Sequence, residues 1–233
     1  MKLEKVISWL DRTLKVADFD DVSNNGLQVD RFVSTQTLKR SNTQTISMVA
    51  FAVDASVRAV EAAAQAGAQL LVVHHGISWG GGIKRLTGGV GNVIRAAMKA
   101  NLAIAAYHLP LDAHPTLGNN AQLAKYFGLK KVKPAFSYHG NVIGVIGTNR
   151  HGKLIGICSG GAGEFAEEAK RLGCDLYLTG EASWGDVIAA ENCGIKMICA
   201  GHYETEVFGV RALAGAMRRA LKVNAVDLTE RLR

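Results

Sequence analysis

The chain has no run of apolar residues approaching the ~20 that a membrane-spanning helix needs. Its first residues, MKLEKVISWLDRTLK, scatter charges where a signal peptide would carry a continuous apolar core. They fit an amphipathic helix instead, and a protein with neither segment is expected in the cytoplasm. Cys-x-x-Cys spacing is also missing. Cys158, Cys174, Cys193 and Cys199 each lie in or beside an apolar run, which favours reduced, mostly buried thiols over disulfides or a thiolate metal site. Aromatic residues make up only 6% of the chain and fall mostly in apolar runs, so no interleaved aromatic–basic stripe of the kind that holds nucleic acid is read from the sequence.

What is present is a globular composition: 48% of 233 residues are hydrophobic, enough for one large domain or two small ones with a real core. The net charge of +7 admits an anionic ligand, a nucleotide or other small anion or a nucleic acid, the last being the least expected. The basic residues read as dispersed, and the densest cluster, Arg211, Arg218, Arg219 and Lys222, reads as the solvated face of a C-terminal helix.

From residue 46 onward strand and helix patterns alternate. ISMVAFAVD, QLLVVHH and LAIAAYH read as strands, and ASVRAVEAAAQAG, GNVIRAAMKAN and NNAQLAKYFG as helices. Beyond about residue 152 the order recurs, with strands KLIGICSGG, CDLYLTGE and IKMICAGH, helices AGEFAEEAKRLG and SWGDVIAAENCG, and a long final helix YETEVFGVRALAGAMRRALK. Such alternation predicts an α/β layered fold with mostly parallel strands. GNVIRAAMKANLAIAAYHLPLD over GDVIAAENCGIKMICAGHYETE gives seven identities in 22 positions, placing His108 over His202 and Asp112 over Glu206. Upstream, a second offset places Glu61, Ala63, Gly67 and Leu70 over Glu167, Ala169, Gly173 and Leu176, and His74–His75 over Gly180–Glu181. The expectation is an internal duplication: two similar α/β lobes, layered sheets flanked by helices, with polar residues just past the C-terminal ends of the strands, where open α/β sheets bind ligands. The division expected is a first lobe over 1–135, carrying the N-terminal helix and open to including the C-terminal end, and a second over 136–233, with a metal site between them.

His74 and His75 follow a buried-strand run directly, and neighbours on a regular strand point to opposite faces. At a strand end followed by Gly76 they can diverge towards two ions, or sit as core residues bonded to backbone. His202 and Glu206 are four apart at the start of a helix and share a face, a spacing that suits a divalent metal and also simple capping or salt bridging. His108 and Asp112 repeat it, with Asp112 a hard oxygen ligand and His108 either a ligand or an orienting partner of Asp112. The two doublet histidines, the carboxylates Asp112 and Glu206, and His202 make five ligands, too many for one open tetrahedral site and suited to two ions sharing a carboxylate, as in two-metal hydrolytic centres. Zinc, iron and manganese are the expected occupants, two divalent ions per chain. His114, His139 and His151 fall in turns or loops and read as non-ligands.

The blocks HHGISW, HLPLDAHPTLGNNAQLAKYFGL, TGE and GHYETEVFGVRAL, with NNGLQV near the N-terminus, resemble the signature blocks of the dinuclear-metal family known as GTP cyclohydrolase I type 2, also called NGG-interacting-factor-three-like. The resemblance covers essentially the whole chain. It implies metal ligands at His74, His75, Asp112, His202 and Glu206, leaves His108 outside the ligand set, and implies two similar α/β lobes assembled as a toroidal homohexamer. The large middle insertion of some members is missing here.

The function these residues point to is metal-dependent hydrolysis by an activated water, with Glu181 a proton carrier or a structural carboxylate and His108 a supporting catalytic residue. The competing readings are a non-catalytic metal-binding or scaffold protein and, from charge alone, a ring encircling nucleic acid. The sequence disfavours the last and gives no sign of membrane attachment.

Overall fold

The computed structural model describes residues 1–31 and 45–233. They fold as two units: Met1–Pro110 with Leu213–Arg233, and Leu111–Ala212. No helix among the described residues is long and apolar enough to cross a membrane.

The first unit opens with α1 (Leu3–Leu14), whose buried Leu3, Val6, Leu10 and Leu14 form the single apolar stripe expected of an amphipathic helix. Next come β1 (Gly26–Val29), β2 (Met48–Asp54), α2 (Val57–Gln65), β3 (Leu70–His75), α3 (Gly88–Ala100) and β4 (Ala103–Ala106). The sheet order is β1-β4-β3-β2-β10, where β10 is Asn224–Asp227 near the end of the chain. β10, β2, β3 and β4 run parallel, and β1 closes the far edge antiparallel to β4. Buried on both faces, β2 and β3 are the continuous apolar runs that a covered parallel sheet requires. Ser56 caps α2 by accepting from the Ala59 amide at 3.0 Å, and α2 lays Ala59, Val60 and Ala63 into a core shared with Leu71, Val73, Ile104 and Leu228.

The second unit contains α5 (Asn119–Tyr126), β5 (Lys130–Tyr138), β6 (Asn141–Thr148), β7 (Leu154–Cys158), α6 (Ala166–Arg171), β8 (Leu176–Thr179), α7 (Trp184–Cys193) and β9 (Lys196–Cys199), in the sheet order β5-β6-β7-β8-β9. β7, β8 and β9 are parallel, while β5–β6 is an antiparallel hairpin absent from the sequence reading. Its turn is His139–Gly140, both at positive φ, which is the two-residue turn that matches strand twist. Histidine at the first turn position hid it, as did Pro134, tolerable because β5 is an edge strand. A short helix, α4 (Leu109–Ala113), spans the boundary between the units, and α8 (His202–Leu221) starts in the second unit and ends in the first.

The expected boundary at 135 therefore falls instead after Pro110, because Leu123, Ala124 and Leu129 pack with Ile157 and Leu178 of the second sheet. The C-terminal end joins the first unit, as allowed for, because β10 pairs with β2.

β2-β3-β4 and β7-β8-β9 repeat one arrangement, and the pairs Val49–Leu70 and Ile155–Leu176 are the positions the repeat alignment equates. Further on the ungapped alignment slips by one. The left-handed caps Asn101 and Gly194 end α3 and α7. The next amides, Leu102 and Ile195, reach back to Ala97 and Ala190, and Tyr107 and Ala200 donate to the equivalent carbonyls of Val73 and Thr179. Leu109 and His202 are thus equivalent first residues of their helices, and His108 corresponds to Gly201 rather than to His202.

The turn after β3 depends on Gly76. The Gln28 side-chain oxygen accepts from the Ile77 and Ser78 amides at 2.7 and 3.2 Å. A Cβ on Gly76 would stand 2.2 Å from that oxygen and 2.6 Å from Ala106 Cβ. Gly76→Ala is expected to cost about 1–3 kcal/mol by overpacking, lowering Tm by roughly 3–10 °C. Calorimetry giving an unchanged Tm would contradict the close approach.

Candidate metal centre

The first unit brings three histidines together. His74 and His75 end β3, and His108 follows β4 directly. One ligand nitrogen from each lies within 4.8 Å of the other two. The ring centroids are 4.6 Å apart for His74–His75, 5.1 Å for His74–His108 and 5.8 Å for His75–His108.

Every one of these rings is held by its Nδ1. That of His74 lies 2.9 Å from the Tyr107 carbonyl oxygen, which can only accept, so His74 carries its proton on Nδ1 and its lone pair on Nε2. His75 Nδ1 meets Asp54 Oδ1 at 2.8 Å, and the parallel register sets Asp54 beside His75 at the ends of β2 and β3. His108 Nδ1 meets Asp21 Oδ1 at 2.9 Å. Imidazoles tied by Nδ1 to a carbonyl or carboxylate, with Nε2 as donor, form the pattern of metal-binding histidine with its supporting partner.

Asp21 and its neighbours were not found in the sequence. Its Oδ2 accepts from the Leu109 amide and from Asn25 Nδ2, and Asn25 Oδ1 accepts from the His108 amide at 2.7 Å. Burial would raise the Asp21 pKa, but the His108 contact, Asn25 and the Ser23 amide outweigh it and hold the carboxylate below its ordinary value. The NNGLQV block thereby acquires a physical role: Asn25 fixes the backbone at His108, and Gln28 fixes the turn after His75. Its only signal in sequence was the block itself. Tyr107, buried beneath the cluster, donates its hydroxyl to Asp11 Oδ1 at 2.8 Å, and burial followed by the Asp11 charge raises its pKa. Trp79 stands edge-on to His108 at 5.1 Å and remains 38% exposed.

The second unit holds the carboxylates. Asp112 is buried, and its Oδ1 accepts from Asn119 Nδ2 at 2.8 Å and Ser159 Oγ at 3.1 Å. Asn119 Oδ1 in turn accepts from the Gly209 amide of α8, while Asn120 Oδ1 accepts from the Ser159 amide. The two asparagines that open α5 thus join Asp112, α8 and the loop after β7. His202 and Glu206 share a face of α8 as their spacing predicts, with Nε2 and Oε1 3.1 Å apart. The other ring nitrogen lies 3.1 Å from Glu181 Oε1. Glu181, the residue the repeat sets over His75, is brought to His202, where its side chain is 64% exposed.

Glycines make this packing possible. A Cβ on Gly160, itself at positive φ, would lie 2.5 Å from Glu206 Oε1, and one on Gly180 would lie 2.6 Å from the Gly160 carbonyl oxygen and 2.7 Å from Thr205 Oγ1. The second unit accordingly has glycine where the first has His74.

The donor set fits divalent metals. Two ligands ~2.1 Å from a tetrahedral ion lie roughly 3.4 Å apart, close to the 3.1 Å between His202 Nε2 and Glu206 Oε1. The thiols do not join it. Burial, followed by the charges of Asp112, Glu164 and Glu168, pushes Cys158 well above the ordinary thiol range, and burial pushes Cys174 up to about 11. All four cysteines are free, Cys158 and Cys174 buried and Cys199 exposed. His139 and His151 lie in turns as expected, and His114 accepts from the Thr116 and Leu117 amides.

The chain is similar to known proteins along most of its length. A protein from Pyrococcus horikoshii named GTP cyclohydrolase 1 type 2 homolog is 35% identical, covering 97% of each chain. One of the same name from Neisseria meningitidis serogroup B is 39% identical, covering 89% of each. Among solved structures, TTHA1606 from Thermus thermophilus superposes with a TM-score of 0.82 at 26% identity over 98% of each chain, and protein ybgI, described as of unknown function, with 0.80 at 27% over 97% of each. The family model described as Duf34/NIF3 (NGG1p interacting factor 3) matches residues 1–154 and 135–230, so the chain belongs to the Duf34/NIF3 family.

Proposed function

We propose that the protein is a dinuclear metal-dependent hydrolase, acting on a nucleotide or another small anion. His74, His75, Asp112, His202 and Glu206 would be the ligands of two divalent ions, zinc, iron or manganese. The observation that carries this reading is the fixed tautomer of the histidine cluster. His74 donates through Nδ1 to the Tyr107 carbonyl, and His75 and His108 are set the same way against Asp54 and Asp21. Core histidines satisfied by backbone alone would not need two carboxylates, Asp54 and Asp21, set against the rings of His75 and His108. The relatives' shared name supports a hydrolytic reading without fixing the substrate.

Two ions bound by these ligands would supply a water of lowered pKa and positive charge against a developing oxyanion. The chain's own part is to orient and to move protons. Asp54 holds the His75 ring, and Asp21 holds His108 beside it. Glu181 both lies 3.1 Å from the His202 ring and is open to solvent, as a carboxylate that exchanges protons between a reacting group and water must be. His108 supports the centre without being consumed as a ligand, leaving coordination open for water and substrate.

Elemental analysis of protein purified without chelator should find two divalent ions per chain. His202→Ala should lose one ion outright. His108→Ala should retain both and weaken metal affinity about 10–100-fold. Equal metal loss in the two variants would make His108 a sixth ligand and the set assigned here incomplete.

In a screen of nucleotides and phosphoesters, Glu181→Gln should retain both ions and lower turnover about 10²–10⁴-fold. Unchanged turnover would reduce Glu181 to a structural carboxylate.

The assembly proposed on the family resemblance is a toroidal hexamer. Light scattering should then give about six times the 24.8 kDa chain mass, and a monomer at micromolar concentration would contradict it.

A further inference from the structure

The charge of this chain is concentrated where the sequence reading did not place it. Between Asp112 and Glu164 there is no acidic residue, while Lys125, Lys130, Lys131, Lys133, Arg150 and Lys153 all fall in that stretch. This segment is α5 with the β5–β6 hairpin and the turn into β7. Lys153 pairs with Asp175 at 3.0 Å, but among the described residues Lys125, Lys130, Lys131 and Lys133 take part in no ion pair.

Two aromatic rings stand among these cations. Tyr126 and Phe127, at the end of α5, are 70% and 47% exposed. Their centroids are 5.2 Å apart, and Tyr126 is braced from the other side by Phe208 at 5.3 Å. The chain turns at Gly128, buries Leu129 and emerges as β5, so both rings adjoin the strand end that carries Lys130 and Lys131. Lys130 pairs with Thr148, which places the Arg150 turn at the same end of the hairpin. A bulge between Lys130 and Lys133, with Lys131 at positive φ, disrupts the regular alternation of the edge.

Edge-strand lysines alone have another use, since they discourage pairing with a second chain. That does not account for the exposed rings beside it at the end of α5, which invite association. Exposed aromatic faces interleaved with cations, on a stretch of chain that itself carries no carboxylate, are what a single-stranded nucleic acid recognises. Phosphates meet lysines, and unstacked bases meet rings. A duplex keeps its bases stacked and would gain only the charge contacts.

We propose that this face of the second unit, formed by Tyr126, Phe127, Lys130, Lys131, Lys133 and Arg150, binds single-stranded nucleic acid. It uses none of the residues assigned to the metal centre, so it stands or falls separately from the hydrolase reading.

Fluorescence anisotropy of the full-length, metal-loaded protein with labelled 20-nucleotide dT and U oligomers, and with a 20-base-pair duplex, tests it. Single strands should bind at least tenfold more tightly than duplex at 50 mM salt. Lys130→Gln, Lys131→Gln and Lys133→Gln together should weaken binding at least tenfold and reduce the salt slope by about 2. Tyr126→Ala with Phe127→Ala should weaken it about tenfold or more and leave the salt slope unchanged. Thermal melting and metal content, unchanged in both variants, exclude misfolding as the cause. Absence of binding at tens of micromolar protein, equal affinity for duplex, or indifference to the aromatic variant would each overturn the proposal. So would light scattering showing that the aromatic variant changes the oligomeric state, because the face would then belong to contacts between copies of the chain.

Discussion

The constraint on which the candidate centre depends is that each histidine of the first unit is held by its Nδ1. A carbonyl oxygen takes one such proton and two carboxylates meet the other rings, so the tautomer and ring orientation are decided before any ligand arrives. The partners come from different levels of the fold. Asp54 is delivered by strand register, the Tyr107 carbonyl by the residue after β4, and Asp21 by a loop that Asn25 and Gln28 bind to the same strand ends. Such preorganisation lowers the entropy that ion binding would otherwise have to overcome.

The two units show how one supersecondary pattern is adapted to two kinds of donor. Each has three parallel strands in the same order, with polar residues past their C-terminal ends. In the first unit these ends carry histidines. In the second, glycine stands where the first has His74, because a Cβ on Gly180 would meet the Gly160 carbonyl and Thr205 of α8, and Glu181 stands where the first has His75.

Much of this was legible in the sequence. The strand–helix alternation was read directly, since buried parallel strands such as VAFAV and LLVV are continuous apolar runs, α1 and α2 carry clear apolar stripes, and Ser56 and Ser183 cap α2 and α7. The duplication was legible too, but its match of His108 with His202 was one residue out. A missing residue before the Gly194 cap moves no hydrophobic position enough to be noticed, and only hydrogen-bond register exposes it. The β5–β6 hairpin was missed because its turn uses positive φ at a histidine. Asp21, Asp54 and the Asn119–Asn120 pair were missed for another reason: they reach the site residues over long sequence separations or through backbone groups. A lone aspartate, buried as Asp21 or exposed as Asp54, has no local signature.

The central claim is that pre-set Nε2 donors and buried carboxylates hold two metals. Anomalous diffraction from crystals of the zinc-loaded protein, recorded at the zinc edge, tests it most directly. The account predicts two peaks per chain, with His74 and His75 bonded through Nε2 while Nδ1 keeps its Tyr107 and Asp54 contacts, and with Asp112, His202 and Glu206 completing the ligands. A single peak, or metal bound through Nδ1 with those contacts broken, would contradict it.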